Sequence, residues 1–173
     1  LKKKKNLRLI NASNFLMKNL IRFNSANESF LTQSEDLKTF SIKDFKIVSK
    51  KKPNKSQLMN LIFAFNVCRF VKSNAIVLAG DNATVGIGSG QPSRLDSCQI
   101  AIDKMNKSQN FVQDVVAASD AFFPFTDGLE KLVQAGITAV IQPSGSIRDK
   151  EIIKFANQTN TVLVFSKTRH FRH

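Results

Sequence analysis

From Ser56 onward the apolar residues fall into two rhythms. Leu58, Leu61, Ile62, Phe65, Cys68 and Val71 recur at helical spacing, and Phe63 and Phe70 add apolar surface elsewhere, so a helix buried on more than one side is expected. Ala75 to Ala79 is a short apolar run with β-branched residues. Gly80, Asp81 and Asn82 supply turn chemistry before Thr84 to Ile87, which predicts a hairpin. The chain then alternates. Ser93 to Lys107 reads as a helix, Val115 to Ala118 as a strand, and Asp127 to Ala135 as a helix closed by Gly136. Ile137 to Ile141 is a strand, Arg148 to Asn157 a helix, and Thr161 to Phe165 a last strand. Such alternation predicts an α/β fold, a layered sheet with flanking helices.

The opening third is less regular. A strand is expected near Leu7 to Ile10, and Asn11 to Ser29 shows no sustained period and reads as a surface excursion. Lys46 to Val48 suggests a short strand, and Lys50 to Lys55, broken by Pro53, the best candidate linker. The division expected is therefore a basic, partly irregular segment over residues 1–55 and an α/β subdomain over 56–173. Charge follows the same line: the first 55 residues carry 14 Lys and Arg against four acids, a net of +10, and the other 118 a net of only +3.

At 173 residues, 42% apolar and 23% charged, the chain has the composition of a globular protein of one domain or two small ones. No stretch approaches the roughly 20 apolar residues of a bilayer span, so no membrane partner is expected. Cys68 and Cys98 cannot form a disulfide scaffold and lack paired metal-ligand spacing, which fits a reducing compartment, and no metal site is expected from them. The chain opens with Leu1 and four lysines, without the apolar core of a secretory signal, and reads as part of something longer.

Four loops carry candidate chemistry, all at or just past expected strand ends. Gly86 to Arg94 is a glycine-rich turn entering a helix, suited to close backbone approach and to an anion at free N–H groups. It lacks the Walker A ending, and Gln91 stands where a dinucleotide fingerprint has glycine; a turn needing positive φ is the plainer explanation. Ser119 to Asp127 sets three phenylalanines around Pro124 between two carboxylates, either a ligand platform or core packing with a helix cap. Gln142 to Ser146 offers hydroxyls that could cap a helix or hold a ligand. Thr168 to His173 is a basic terminus that would ordinarily fray.

The segments SNAIVLA, GIGSGQPSR, SDAFFPFTD, IQPSGSIRDKE and TRHFRH, in this order, resemble the C-terminal part of the bifunctional purine biosynthesis family, in which an inosine monophosphate (IMP) cyclohydrolase is joined to a phosphoribosylaminoimidazolecarboxamide (AICAR) formyltransferase. The resemblance covers residues 46–173 well and the first 45, rich in Lys and Asn, poorly. Arg172 stands where some members have histidine. The resemblance implies cytidine-deaminase-like layers, although the His-x-Glu and Pro-Cys-x-x-Cys of zinc deaminases are absent and zinc deamination is rejected.

It further implies an enzyme that transfers a formyl group from 10-formyltetrahydrofolate to the 5-amino group of AICAR, in the cytosol, as a homodimer with its site between subunits. A structural potassium ion is reported for some members. By resemblance, Asn74 is the catalytic asparagine near the amine and formyl group, and Arg94 the folate-side arginine. Phe122 and Asp127 frame nucleobase and pterin, Ser146 belongs to the PSGS loop, and Arg169 meets the nucleotide phosphate. The family's adjacent Lys-His pair is missing from this sequence, so the chain alone is expected to be inactive. The competing expectation, a basic nucleic-acid-binding module, rests on the +10 segment and its Phe15, Phe23, Phe30, Phe40 and Phe45, and no nucleic-acid motif accompanies them.

Overall fold

The computed structural model describes Arg8, Ile10, Asn11 and residues 21–108 and 112–173. Two compact units are separated at Leu37/Lys38. The strand expected near Leu7 to Ile10 falls largely outside the described residues.

In the first unit, β1 (Ile21–Ala26) pairs antiparallel with β2 (Ser29–Ser34). Asn27, at φ +52°, turns the chain between them in the left-handed region that Asn tolerates better than most residues. Arg22 and Glu35 form an ion pair. Where the sequence reads as a surface excursion, residues 21–29 are thus the first strand and turn of a hairpin that runs to Ser34. Neither face is buried, and Ile21, Phe23, Phe30 and Leu31 are exposed. A ribbon with no buried face has no reason to alternate apolar and polar residues.

The second unit is a six-stranded mixed sheet between helices. Its strands are β3 (Phe45–Ile47), β4 (Ile76–Gly80), β5 (Ala83–Gly88), β6 (Val116–Ser119), β7 (Ala139–Pro143) and β8 (Val162–Ser166), in the spatial order β3-β8-β7-β6-β4-β5. β6, β7 and β8 run parallel; β3, and β4 with its hairpin partner β5, join antiparallel. The four inner strands are buried throughout, because both faces are covered. On one face Leu61, Ala64, Phe65 and Cys68 of α1 (Lys55–Cys68) pack on Val77, Val116, Ile141 and Val164. On the other, α2 (Arg94–Lys107), α3 (Asp127–Gln134) and α4 (Asp149–Gln158) bury Cys98, Leu129, Leu132 and Ile152 against Ile76, Leu78, Ala117 and Val140. Successive residues of β4 therefore serve opposite cores, as a strand's period of two requires.

The layered α/β fold is the one expected; α1 ends at Cys68, three residues before the end of its apolar pattern at Val71, and the later elements lie within a residue or two of their expected places. The segment Lys50 to Lys55, expected as a linker, joins β3 to α1 inside the second unit. Ser49 exchanges hydrogen bonds with Leu163, and Lys50 N donates to Asn157 Oδ1 at 2.7 Å. Asn54 opens α1 through a reciprocal cap with Gln57. No helix among the described residues is long and apolar enough to cross a membrane.

Candidate functional site

The strand directions bring the candidate loops to one end of the sheet. Gly88 of β5 lies opposite Ile76, and Ile76 opposite Ser119 of β6; Pro143 of β7 lies opposite Ser166 of β8. The start of β4 and the ends of β5 to β8 consequently share an edge. Asn74, the glycine-rich turn, the 119–127 segment, the 142–146 loop and the chain's closing residues all emerge there.

The glycine turn serves packing first. A Cβ on Gly88 would stand 1.8 Å from the Ser97 carbonyl oxygen, and one on Gly86 would stand 2.1 Å from that of Ala101. Both glycines let α2 lie directly on β5, so the ligand-approach reading does not describe them. Gly90, at φ +68°, is the turn's left-handed residue. Ser93 Oγ caps α2 by accepting from Leu95 N at 3.1 Å.

Arg94, the first residue of α2, is drawn inward. Its Nε donates to Ser119 Oγ at 3.0 Å and its Nη2 to Asp120 Oδ1 at 2.6 Å. The Asp120 side chain is completely buried. Asn74 Nδ2 donates to the carbonyls of Gln91 and Pro92 at 2.9 and 3.1 Å, and Ser97 Oγ donates to the Asn74 carbonyl at 2.8 Å. Both amide protons of Asn74 thus hold the glycine turn, which leaves its Oδ1 as the acceptor available to a ligand. Asn74, Arg94, Phe123, Phe125 and Asp127 line a cleft of about 420 Å³, within the range typical of small-molecule sites. Asp127 Oδ1 accepts from Gly128 N at 2.7 Å.

Phe122 belongs to the opposite flank of the same segment. The Arg169 guanidinium stacks over its ring at 4.6 Å, and a Cβ on Gly145 would come within 3.3 Å of Arg169 Nη2. Ser146 is occupied locally: its Oγ accepts from Arg148 N at 3.1 Å and its N–H donates to Asp149 Oδ1 at 3.2 Å. Arg148 in turn stacks over Phe125 at 4.7 Å. Of the expected residues, Asn74, Arg94 and Asp127 meet in the cleft, while Phe122, Arg169 and the Ser146 loop gather on its neighbour flank.

The terminal residues do not fray. His170 N donates to the Asp120 carbonyl at 2.9 Å, Ser73 N to the Arg172 carbonyl at 3.0 Å, and Arg172 N to Ser73 Oγ at 3.2 Å. The His170 ring is buried beside Phe40 and Phe65, 5.0 and 4.7 Å away. Two phenylalanines of the basic segment are therefore spoken for: Phe40 and Phe45 both pack against Phe65 in the α1-side core. Ser119, Asp120, Arg148 and His170 all lie in candidate segments of the sequence, but none had a role assigned to it there. A carboxylate directly following the apolar strand Val115 to Ser119 was the available signal for Asp120, since an acid there must find a buried partner.

Burial pushes the Cys68 thiol well above its usual range and Cys98 up to about 12, so both thiols are inert packing groups. Among the described residues no cluster of three or more His, Cys, Asp or Glu could hold a metal ion.

Comparison with protein families adds what geometry alone does not give. Residues 1–104 match the family model described as the AICARFT/IMPCHase bienzyme. The matched stretch takes in the Lys-rich opening, which the five motifs left uncovered, together with Asn74 and Arg94, and it ends within α2. Since it spans more than half of the sequence, the chain belongs to the AICARFT/IMPCHase bienzyme family.

Proposed function

We propose that, within the family's part in purine biosynthesis, this chain forms the folate- and nucleotide-binding shell of an AICAR formyltransferase site. The observation that carries the reading is the convergence of five motif segments, far apart in sequence, on one end of one sheet around a cleft holding Asn74, Arg94 and Asp127.

The chemistry required suits these groups. The 5-amine of AICAR is a weak nucleophile, its lone pair delocalised into the imidazole and carboxamide, so the site must orient it and draw off a proton as the C–N bond forms. Asn74 Oδ1 is left as an acceptor for an amine N–H. Arg94 keeps donors beyond the two engaged with Ser119 and Asp120, and these would serve the folate side. Arg169, exposed and stacked on Phe122, would meet the nucleotide phosphate with its planar fork. Phe122 and Asp127 would frame nucleobase and pterin from opposite flanks, and the Ser146 loop would close the nucleotide side. No Lys-His dipeptide occurs in this sequence, and proton transfer is assigned to none of its residues.

The cytosolic homodimer with its site between subunits and the cytidine-deaminase-like form of the layers belong to the same proposal. Should potassium bind, a hard cation needs oxygen donors. Asp120 Oδ2, buried and without a hydrogen-bond partner, fits that chemistry. Nothing favours the nucleic-acid reading.

The test is formyl transfer from 10-formyltetrahydrofolate to AICAR by the full protein that contains this chain. Arg94→Ala should raise KM for the folate at least tenfold, and Arg169→Ala should raise KM for AICAR by a similar factor. If the full protein neither transfers formyl nor binds either ligand, the proposal fails.

A further inference from the structure

The residues that follow β8 leave the sheet, and a segment that does so stays ordered only if something ties it down. Within it Arg169 is exposed, and its guanidinium rests on the Phe122 ring at 4.6 Å. Such a stack is shallow. What places this arginine must therefore act on the chain to either side of it. Both of its neighbours are held by the short stretch from Lys38 to Phe40, 130 residues away in sequence. On one side Lys38 Nζ donates to Thr168 Oγ1 at 3.0 Å. On the other the Phe40 ring meets the buried His170 ring edge to face, with centroids 5.0 Å apart and planes at 89°.

That stretch is itself fastened to α1. Phe40 N donates to Asn66 Oδ1 at 2.9 Å, and Asn66 Nδ2 donates back to the Phe40 carbonyl at 3.0 Å. Arg69 Nη1, just past the helix, donates to the Lys38 carbonyl at 2.9 Å. The Phe40 ring is buried, stacked on Phe45 and edge-on to Phe65. A residue whose amide and carbonyl are both taken by one side chain, and whose ring is packed, has little freedom left. Core packing accounts for Phe40 but not for Lys38, which is exposed and buries no apolar surface by reaching Thr168. A long side chain gives up rotamer freedom there to hold one hydroxyl beside Arg169.

We infer that Lys38 and Phe40 are positioning residues for Arg169: they strap the chain on both sides of it to α1, so that the arginine swings from a fixed root while its head slides on Phe122. The identity of the ligand rests on the formyltransferase reading, under which Arg169 serves AICAR. The strap does not rest on it, because its test is read against whichever substrate constant Arg169→Ala itself raises.

The experiment measures kcat and both substrate constants of the full protein for Lys38→Met, Thr168→Val and Phe40→Leu, each alone and combined with Arg169→Ala, with thermal unfolding alongside. Lys38→Met keeps the stem and removes the donor. It should raise the constant that Arg169→Ala raises by about threefold, with unfolding unchanged, and leave kcat and the other constant within about twofold. Thr168→Val should match it, and the two together should exceed neither. Phe40→Leu should raise the same constant by about tenfold. With Arg169 already replaced, none of the three should move that constant further. Effects that multiply with that of Arg169→Ala, equal rises in both constants, or no change in Lys38→Met and Phe40→Leu alike would overturn the inference. Should Phe40→Leu not fold, Lys38→Met decides. A full protein that neither transfers formyl nor binds AICAR or 10-formyltetrahydrofolate refutes the formyltransferase reading instead. The strap is then decided by hydrogen exchange: the amides of His170 and Arg172 should exchange faster in Lys38→Met and Phe40→Leu, and unchanged exchange would overturn it.

Discussion

Arg94 and Arg169 leave the same end of one sheet, but their surroundings differ in kind. Arg94 is clamped by a hydroxyl and a buried carboxylate, with its side chain 11% exposed. Arg169 is exposed, lies over the face of Phe122 and passes close to Gly145. On the first flank orientation is set by short charge-assisted hydrogen bonds, which tolerate little angular error. On the second it is set by a broad, shallow attraction between a cation and a ring, which permits sliding. A fixed cation suits a ligand whose reacting atom must be placed accurately, and an adjustable one suits a phosphate that serves as a handle.

That contrast can be broken most forcefully at Gly88. Gly88→Ala would drive a methyl into the Ser97 carbonyl and lift α2, and Arg94 with it, off the sheet. We expect a loss of roughly 3 kcal/mol or more in urea unfolding. Gly145→Ala on the other flank introduces a side chain at φ +108° against Arg169. It should cost about 1–3 kcal/mol of strain, raise KM for AICAR in the full protein and leave the folate constant unchanged. Phe122→Leu keeps apolar bulk but removes the ring under Arg169, and about 0.5–1 kcal/mol of stability should go with it. An unchanged melting curve would show that the stack contributes nothing measurable.

The smallest effect is alkaline. Cys98 titrates from about 9.0 in the unfolded chain to about 12 when folded, so the native state keeps a proton that the unfolded state loses. Stability is then undiminished below pH 9 and falls as pH rises toward 12, by under about 1 kcal/mol at pH 9.5 from this group. Both thiols should also resist iodoacetamide at pH 8 until the protein is unfolded, as read by mass spectrometry. Rapid labelling of native Cys98 would mean that the α2 flank opens, against the rigidity argued for Arg94.

The sequence announced the elements from α1 onward because several are bounded by residues with one structural use, such as Gly80, Asp81 and Asn82 between β4 and β5 or Gly136 after α3, and because their buried faces impose a period. It did not announce β1 and β2, which bury nothing. Among site residues, Asn74, Arg94 and Asp127 were legible as motif positions, but the partners that orient them were not. Asp120 and Ser119 stand 25 residues or more from Arg94, and only the pairing of β4 with β6 brings them beside it. The glycine turn was ambiguous for a related reason: the positive φ at Gly90 fits the turn expected there, but glycine marks close approach in a sequence without saying whether a ligand or a helix approaches.

The mixed strand directions also bear on how such a protein can change over time. Because antiparallel outer strands flank a parallel centre, five separate loops open at one edge, whereas the two cores that sustain the fold lie along the strands' length. On the proposed reading, substitutions at that rim would alter which small molecules are accepted while the interior keeps its shape. Tolerance to mutation and diversity of ligand would then be housed in different parts of the molecule.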